Sequence, residues 1–145
     1  MGYAINFEQI FPYMPYLLGG AWISLQIAFL AFAGGATLGL LGAFAKTFGP
    51  RPLRAAVQAY VVFFTNTPQL VQIYFLYFAL PDAGILLSSY QAVLLGMTLN
   101  AGAYLTEIQR AGFLSVRQSE MEAAETLGFS RLQQVRYVVL PHIAR

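Results

Sequence analysis

The sequence predicts an all-α, multi-pass membrane protein, folded as a bundle of spanning helices. Its 145 residues are 58% hydrophobic and only 10% charged, whereas soluble domains carry about 25% charged residues. Three long windows contain no charged side chain: residues 9–45, 55–81 and 83–106. Each window exceeds the roughly 20 apolar residues that a helix needs to cross a hydrocarbon core about 30 Å thick.

From these windows we predict three spanning helices, at about residues 17–45, 56–80 and 85–109, within one partial membrane domain covering 1–145. The first window lacks a basic leading segment and is too long for a signal peptide. Aromatic residues in 3–16 predict a short interfacial helix at the outer surface, which anchors the first span.

The basic residues predict how the spans are oriented. Three of them lie between the first and second spans, and five follow the third: Lys46, Arg51, Arg54; Arg110, Arg117, Arg131, Arg136 and Arg145. The N-terminal segment and the turn at Pro81-Asp82 contain none. By the positive-inside rule the two basic regions are cytoplasmic, so the N-terminus lies outside.

Two features inside the predicted spans each have two explanations. Gly35 with Gly39, and Gly39 with Ala43, form small-xxx-small pairs that either pack closely against another helix or reflect the abundance of Gly in spanning helices. Pro68 predicts a kink in the second span. The polar side chains near it either satisfy freed backbone carbonyls or line a translocation path: Thr65, Asn66, Thr67, Gln72 and Asn100.

The third span ends in two opposite charges, Glu107 and Arg110, which share a helical face because they are three residues apart. They are interpreted as an interfacial ion pair or, alternatively, as an inter-subunit or gating contact near the cytoplasmic mouth.

A cytoplasmic loop at about 113–141 is predicted to form helix, turn and helix. Ser119 and Glu122 have the spacing of a capping box, and Ser130 with Gln133 repeats it. Gly128 stands where a helix of about nine residues ends in a left-handed conformation. On the first helix, Met121, Ala124 and Leu127 are predicted to form an apolar stripe, with Ala123 beside it and flanking carboxylates: Glu120, Glu122 and Glu125. This stripe suits either a partner's groove with basic edges or the protein's own membrane domain.

The loop resembles the signature loop of ABC-importer permeases at these residues: Glu122, Ala123, Ala124, Gly128, Val138, Leu140 and Pro141. Val138 stands where that family usually has Ile. Two further segments resemble the polar amino-acid subfamily, TNTPQLVQIYFLYFALP at 65–81 and LNAGAYLTEIQRAG at 99–112. Thr65 departs from the subfamily, which usually has Arg there.

The resemblance implies a type I importer permease core in a bacterial inner membrane, transporting polar amino acids. Such a core has at least five spans, so we expect that this chain is a truncated part. The implied partners are an ABC ATPase subunit, a second permease subunit, an extracytoplasmic solute-binding protein and the lipid bilayer. The resemblance assigns docking of the ATPase to the loop, and we expect contacts from Glu122, Ala123, Ala124, Gly128, Leu140 and Pro141.

Several classes of function are excluded by the sequence. No Gly-rich phosphate loop is present, so ATP hydrolysis is expected on a separate chain, and neither an enzyme activity nor a cofactor is predicted. The single His142 and the absence of Cys argue against a metal site, and nothing resembles a nucleic-acid surface. The alternatives are a permease for another solute and a membrane interaction protein, or remnant, that transports nothing.

Overall fold

The computed structural model describes residues 10–116, 118–139 and 141, and within them the chain is helical without strands. The α-helices of this part are α1 (Met14–Phe48), α2 (Arg51–Asn66), α3 (Gln69–Tyr74), α4 (Ser89–Ser115), α5 (Gln118–Thr126) and α6 (Arg131–Gln134). Short 3₁₀ turns occupy Phe11–Tyr13 and Leu80–Ala83, and π-helical turns occupy Phe75–Ala79 and Val135–Val139.

Helix α1 covers the first predicted span and is longer at both ends. The turn Phe11–Tyr13 leads directly into it, so the described part of the predicted interfacial helix is continuous with α1; residues 1–9 lie outside the described part. Among the described residues, Phe11–Phe48 is the one helical stretch long and apolar enough to cross a bilayer, with a mean hydropathy of 1.9. The second and third spans therefore stay predictions.

Helices α1 and α4 form the most extensive helix contact in the structure. The buried residues of α1 recur every fourth position, at Ala31, Gly35, Gly39 and Ala43. A Cβ added to Gly35 would lie only 2.7 Å from the Cβ of Ala101 on α4. The absence of side chains thus lets the two backbones approach closely, which confirms the predicted packing role of the small residues.

The second predicted span is interrupted rather than kinked. Helix α2 ends at Asn66, and Thr67 and Pro68 adopt ψ angles of 131° and 130° before α3 begins at Gln69. Proline cannot donate a backbone hydrogen bond, and it pushes the preceding residue out of the helical region. Thr67 takes that extended conformation, so the helix stops completely.

The turn after α5 is closed as predicted. Gly128 has a φ of +77°, and its N–H donates to the Glu125 carbonyl at 2.9 Å while that of Phe129 donates to the Ala124 carbonyl at 3.0 Å. These two bonds form a Schellman motif. The Ser130 and Gln133 capping box is also confirmed.

The capping box predicted at Ser119 is wrong. Helix α5 begins at Gln118, so Ser119 lies within the first turn instead of before it. The Ser-x-x-Glu pattern does not by itself fix the first helical residue, because Ser and Gln are also tolerated within a first turn.

The close approach of α1 and α4 predicts opposite effects for one substitution at two glycines of α1. Gly35→Ala should lower the free energy of unfolding by about 1–3 kcal/mol through overpacking. Gly20→Ala should leave it unchanged or raise it by up to about 1 kcal/mol through helix propensity, because nothing lies within 4 Å of an added Cβ there. Denaturation in mixed detergent micelles, followed by circular dichroism, measures both; equal effects would contradict the packing.

The left-handed conformation of Gly128 predicts a cost for any ordinary side chain, although the space around it is open. Gly128→Ala should destabilise the turn by about 1–2 kcal/mol. Gly128→Asn should cost less, because Asn tolerates this conformation. Amide hydrogen exchange at Phe129, whose N–H closes the motif, reports the difference, and equal protection in both variants would speak against the turn.

Candidate functional site

The segment predicted to dock a partner forms an open, mostly apolar cleft of about 410 Å³. One wall is formed by Glu120 and Ala123 of α5 and by Leu127, which directly follows the helix. The other wall follows the turn, and its residues are Phe129, Tyr137, Val138 and Pro141. The Schellman turn at Gly128 joins the two walls, so its geometry sets the shape of the cleft.

The apolar stripe predicted on α5 is divided between two directions. Met121 packs inward, and Ala124 is only 3% exposed. Leu127 is 73% exposed, and Ala123 is exposed beside it. The prediction of a single stripe is therefore wrong. At about 100° per residue, Met121 and Leu127 lie about 120° apart around the helix, whereas Ala123 and Leu127 lie only about 40° apart.

The six residues expected to dock a partner are placed differently from one another. Glu122, Ala123, Gly128 and Pro141 are exposed. Ala124 is buried, and its carbonyl accepts the bond that ends α5, so it positions the helix. Leu140 lies outside the described residues. Leu127, which the sequence placed in the stripe, and Tyr137, which it did not single out, are both exposed and line the cleft.

A small apolar cluster fixes the loop to the membrane helices. Ala43 of α1, Phe113 of α4 and Val139 from the turn after α6 are buried together. Met121 of α5 and Val116 pack against them. The segments before and after the turn at Gly128 therefore share one packed cluster with α1 and α4.

An ion-pair cluster lies near the same end of α1. Arg110 Nε lies 3.2 Å from Glu107 Oε2, which confirms the predicted pairing. Lys46 pairs with the other oxygen of Glu107 and donates to Gln58 Oε1 at 2.6 Å. The side chain of Lys46 is only 9% exposed. The cluster therefore joins α1, α2 and α4. No local sequence pattern indicated the part played by Lys46, because Lys46 is 61 positions from Glu107.

The polar residues around the break after α2 all bond to backbone carbonyls. The side chains of Thr65, Asn66 and Thr67 each donate to the carbonyl four residues earlier. Gln72 Nε2 donates to the Phe64 and Thr67 carbonyls at 3.0 and 2.9 Å, and Asn100 Nδ2 reaches the same Phe64 carbonyl at 3.0 Å.

These bonds show the backbone-satisfying role, and a path-facing role for the same residues stays a prediction. Thr67 and Gln72 also line an apolar cleft of about 470 Å³ beside the break.

Comparison with known proteins identifies the family. Residues 35–145 match the binding-protein-dependent transport system inner membrane component family. The glutamine transport system permease protein GlnP of Escherichia coli K12 is 38% identical over 138 residues, which cover 94% of this chain and 63% of that protein. The probable amino-acid ABC transporter permease YckA of Bacillus subtilis 168 is 34% identical over 143 residues, with coverages of 99% and 63%.

The fold agrees with this result. A crystal structure of an amino acid ABC transporter with histidines superposes with a TM-score of 0.88 at 30% identity, over 97% of this chain and 66% of that one. The predicted all-α permease fold is thus confirmed, and the chain spans about 63% of the length of the curated relatives. The match over residues 35–145 places the chain in the family of binding-protein-dependent transport system inner membrane components.

Proposed function

We propose that this chain is the membrane permease subunit of an ATP-driven importer for polar amino acids, and that the cleft at α5 docks an ABC ATPase subunit. The observation that carries the proposal is the short helix α5, closed by Gly128 and packed through Met121 against the ends of α1 and α4. A nine-residue helix is only marginally stable by itself. Its packing against the bundle therefore suits a rigid element that transmits motion better than it suits a flexible loop.

The outward side of α5 has the chemistry of a docking surface. Ala123 leaves space beside the helix, while Leu127 and Tyr137 offer exposed apolar area. A partner's apolar side chain entering this cleft would bury these groups. Closure of two ATPase subunits then displaces α5 as a rigid body, and the cluster of Ala43, Phe113 and Val139 transmits the motion.

The proposed orientation places this end of the bundle in the cytoplasm and the N-terminus outside. Lys46 and Arg110 meet at Glu107, and α5 contacts the same end of α1 through Met121 and Ala43. The basic residues and the docking loop thus share one end of the bundle. The positive-inside rule assigns such an end to the cytoplasmic side of the inner membrane.

The proposed substrate path runs along the break after α2. Interrupted helices in transporters expose backbone and amide groups that bind polar substrates. Thr65, Asn66, Thr67, Gln72 and Asn100 supply such groups here. Relatives named as glutamine and amino-acid permeases support polar amino acids as the substrate class. A second permease subunit and an extracytoplasmic solute-binding protein complete the proposed importer.

The docking surface predicts that one exposed alanine controls association with the ATPase subunit. Ala123→Arg should reduce co-purification of the ATPase at least tenfold, because a long cation fills the cleft beside Leu127. Ala55→Arg is the matched control, since Ala55 is also exposed at the same end of the bundle but lies on α2 and does not line the cleft. Quantitative pull-down from co-expressing membranes gives the ratio, with circular dichroism confirming that both variants stay helical.

The same experiment separates the alternatives. Retention of the ATPase by the Ala123→Arg variant would contradict docking at this cleft. A chain that never associates with an ATPase would be a membrane interaction protein without transport. If docking holds, uptake of labelled glutamine by the assembled importer, in competition with other solutes, distinguishes an amino-acid permease from one for another solute.

A further inference from the structure

A second cleft, distinct from the docking cleft, lies between the last turns of α1 and helix α6. Its volume is about 310 Å³, and it is lined by Phe44, Phe48, Arg131, Leu132 and Val135. None of these residues takes part in the proposed docking of the ATPase or in the proposed substrate path. The volume is at the lower end of the range for small-molecule sites, about 300–1,000 Å³.

The residues that line this cleft are apolar except for one cationic side chain. Phe44 is 46% exposed and Leu132 is 74% exposed, so apolar area remains uncovered on both sides of the cleft. Arg131 is exposed, and neither ion pair recorded in the described part of the chain involves it. No carboxylate lines the cleft, so its charge is positive and suits an anionic, partly apolar ligand.

The place of the cleft along α1 indicates where that ligand comes from. The apolar stretch Phe11–Phe48 ends at this cleft, and the cations Lys46, Arg51 and Arg54 begin there. When the apolar stretch of a helix ends in aromatic and basic residues, those residues lie at the level of the lipid headgroups. Anionic headgroups of the cytoplasmic leaflet accumulate near such basic residues.

We infer that this cleft binds an anionic phospholipid of the inner leaflet. The phosphate pairs with the Arg131 guanidinium, which matches phosphate geometry with paired N–H donors. The upper part of an acyl chain lies along Phe44, Phe48 and Leu132, where it covers the uncovered apolar area. The bound lipid then contacts both α6 and α1 and stabilises the turn that positions α5. This inference rests on the membrane location of the family and on the proposed cytoplasmic orientation of this end of the bundle, but not on the docking of an ATPase.

Quenching by brominated lipids tests the site on the full chain. The chain contains a single tryptophan, so Trp22→Phe combined with Leu132→Trp places the only indole at the cleft. In nanodiscs with equal mole fractions of brominated lipid, dibrominated phosphatidylglycerol should quench this indole at least twofold more strongly than dibrominated phosphatidylcholine. Equal quenching by the two lipids would overturn the inference.

Two further arms distinguish a site from general surface charge and from phosphate binding. Adding Arg131→Gln should abolish the preference for phosphatidylglycerol, whereas Arg54→Gln should preserve it, since Arg54 carries the same charge but does not line the cleft. Equal loss in both variants, or no loss with Arg131→Gln, would reject a lipid site at Arg131. Excess inorganic phosphate should leave the preference intact; its removal by phosphate would show that the ligand is the anion alone.

Discussion

The close contact between α1 and α4 is the constraint on which the other features depend. Gly35, Gly39 and Gly42 carry no side chain where α4 packs closely against α1, and without a hydrophobic driving force in lipid such close packing is a main source of helix association. The approach brings Ala43 to Phe113 and Lys46 to Glu107. Ala43 and Phe113 belong to the apolar cluster against which α5 packs through Met121. The position of the proposed docking surface therefore follows from glycines that lie outside it.

Helix α4 also stabilises the interrupted second segment. An unsatisfied carbonyl in a bilayer costs several kcal/mol, and the break at Pro68 leaves carbonyls without helical donors. Asn100 of α4 donates to the Phe64 carbonyl, and Tyr60 of α2 donates to the Leu99 carbonyl of α4 at 2.6 Å. The Asn100 side-chain amide donates to a backbone carbonyl in this structure and is also proposed to bind the substrate. Transport would therefore require this amide to exchange hydrogen-bond partners as the helices move.

Local chemistry explains which parts could be predicted from the sequence. The left-handed Gly128, the cap at Ser130 and the pairing of Glu107 with Arg110 each depend on residues within five positions, and all three are confirmed. The contact of Lys46 with Glu107 depends on the approach of two helices, which no local pattern encodes. The stripe on α5 failed because a spacing of three residues drifts around a helix, and only the packing of Met121 decides which side faces inward.

The central claim is that α5 faces the cytoplasm, where an ATPase subunit can reach it. The chain contains no cysteine, so single thiols can be introduced without background. A membrane-impermeant maleimide should label the Leu127→Cys variant in inverted membrane vesicles but not in spheroplasts, and the Asp82→Cys variant in spheroplasts but not in inverted vesicles. Labelling of the Leu127→Cys variant in spheroplasts would place α5 outside and contradict the account.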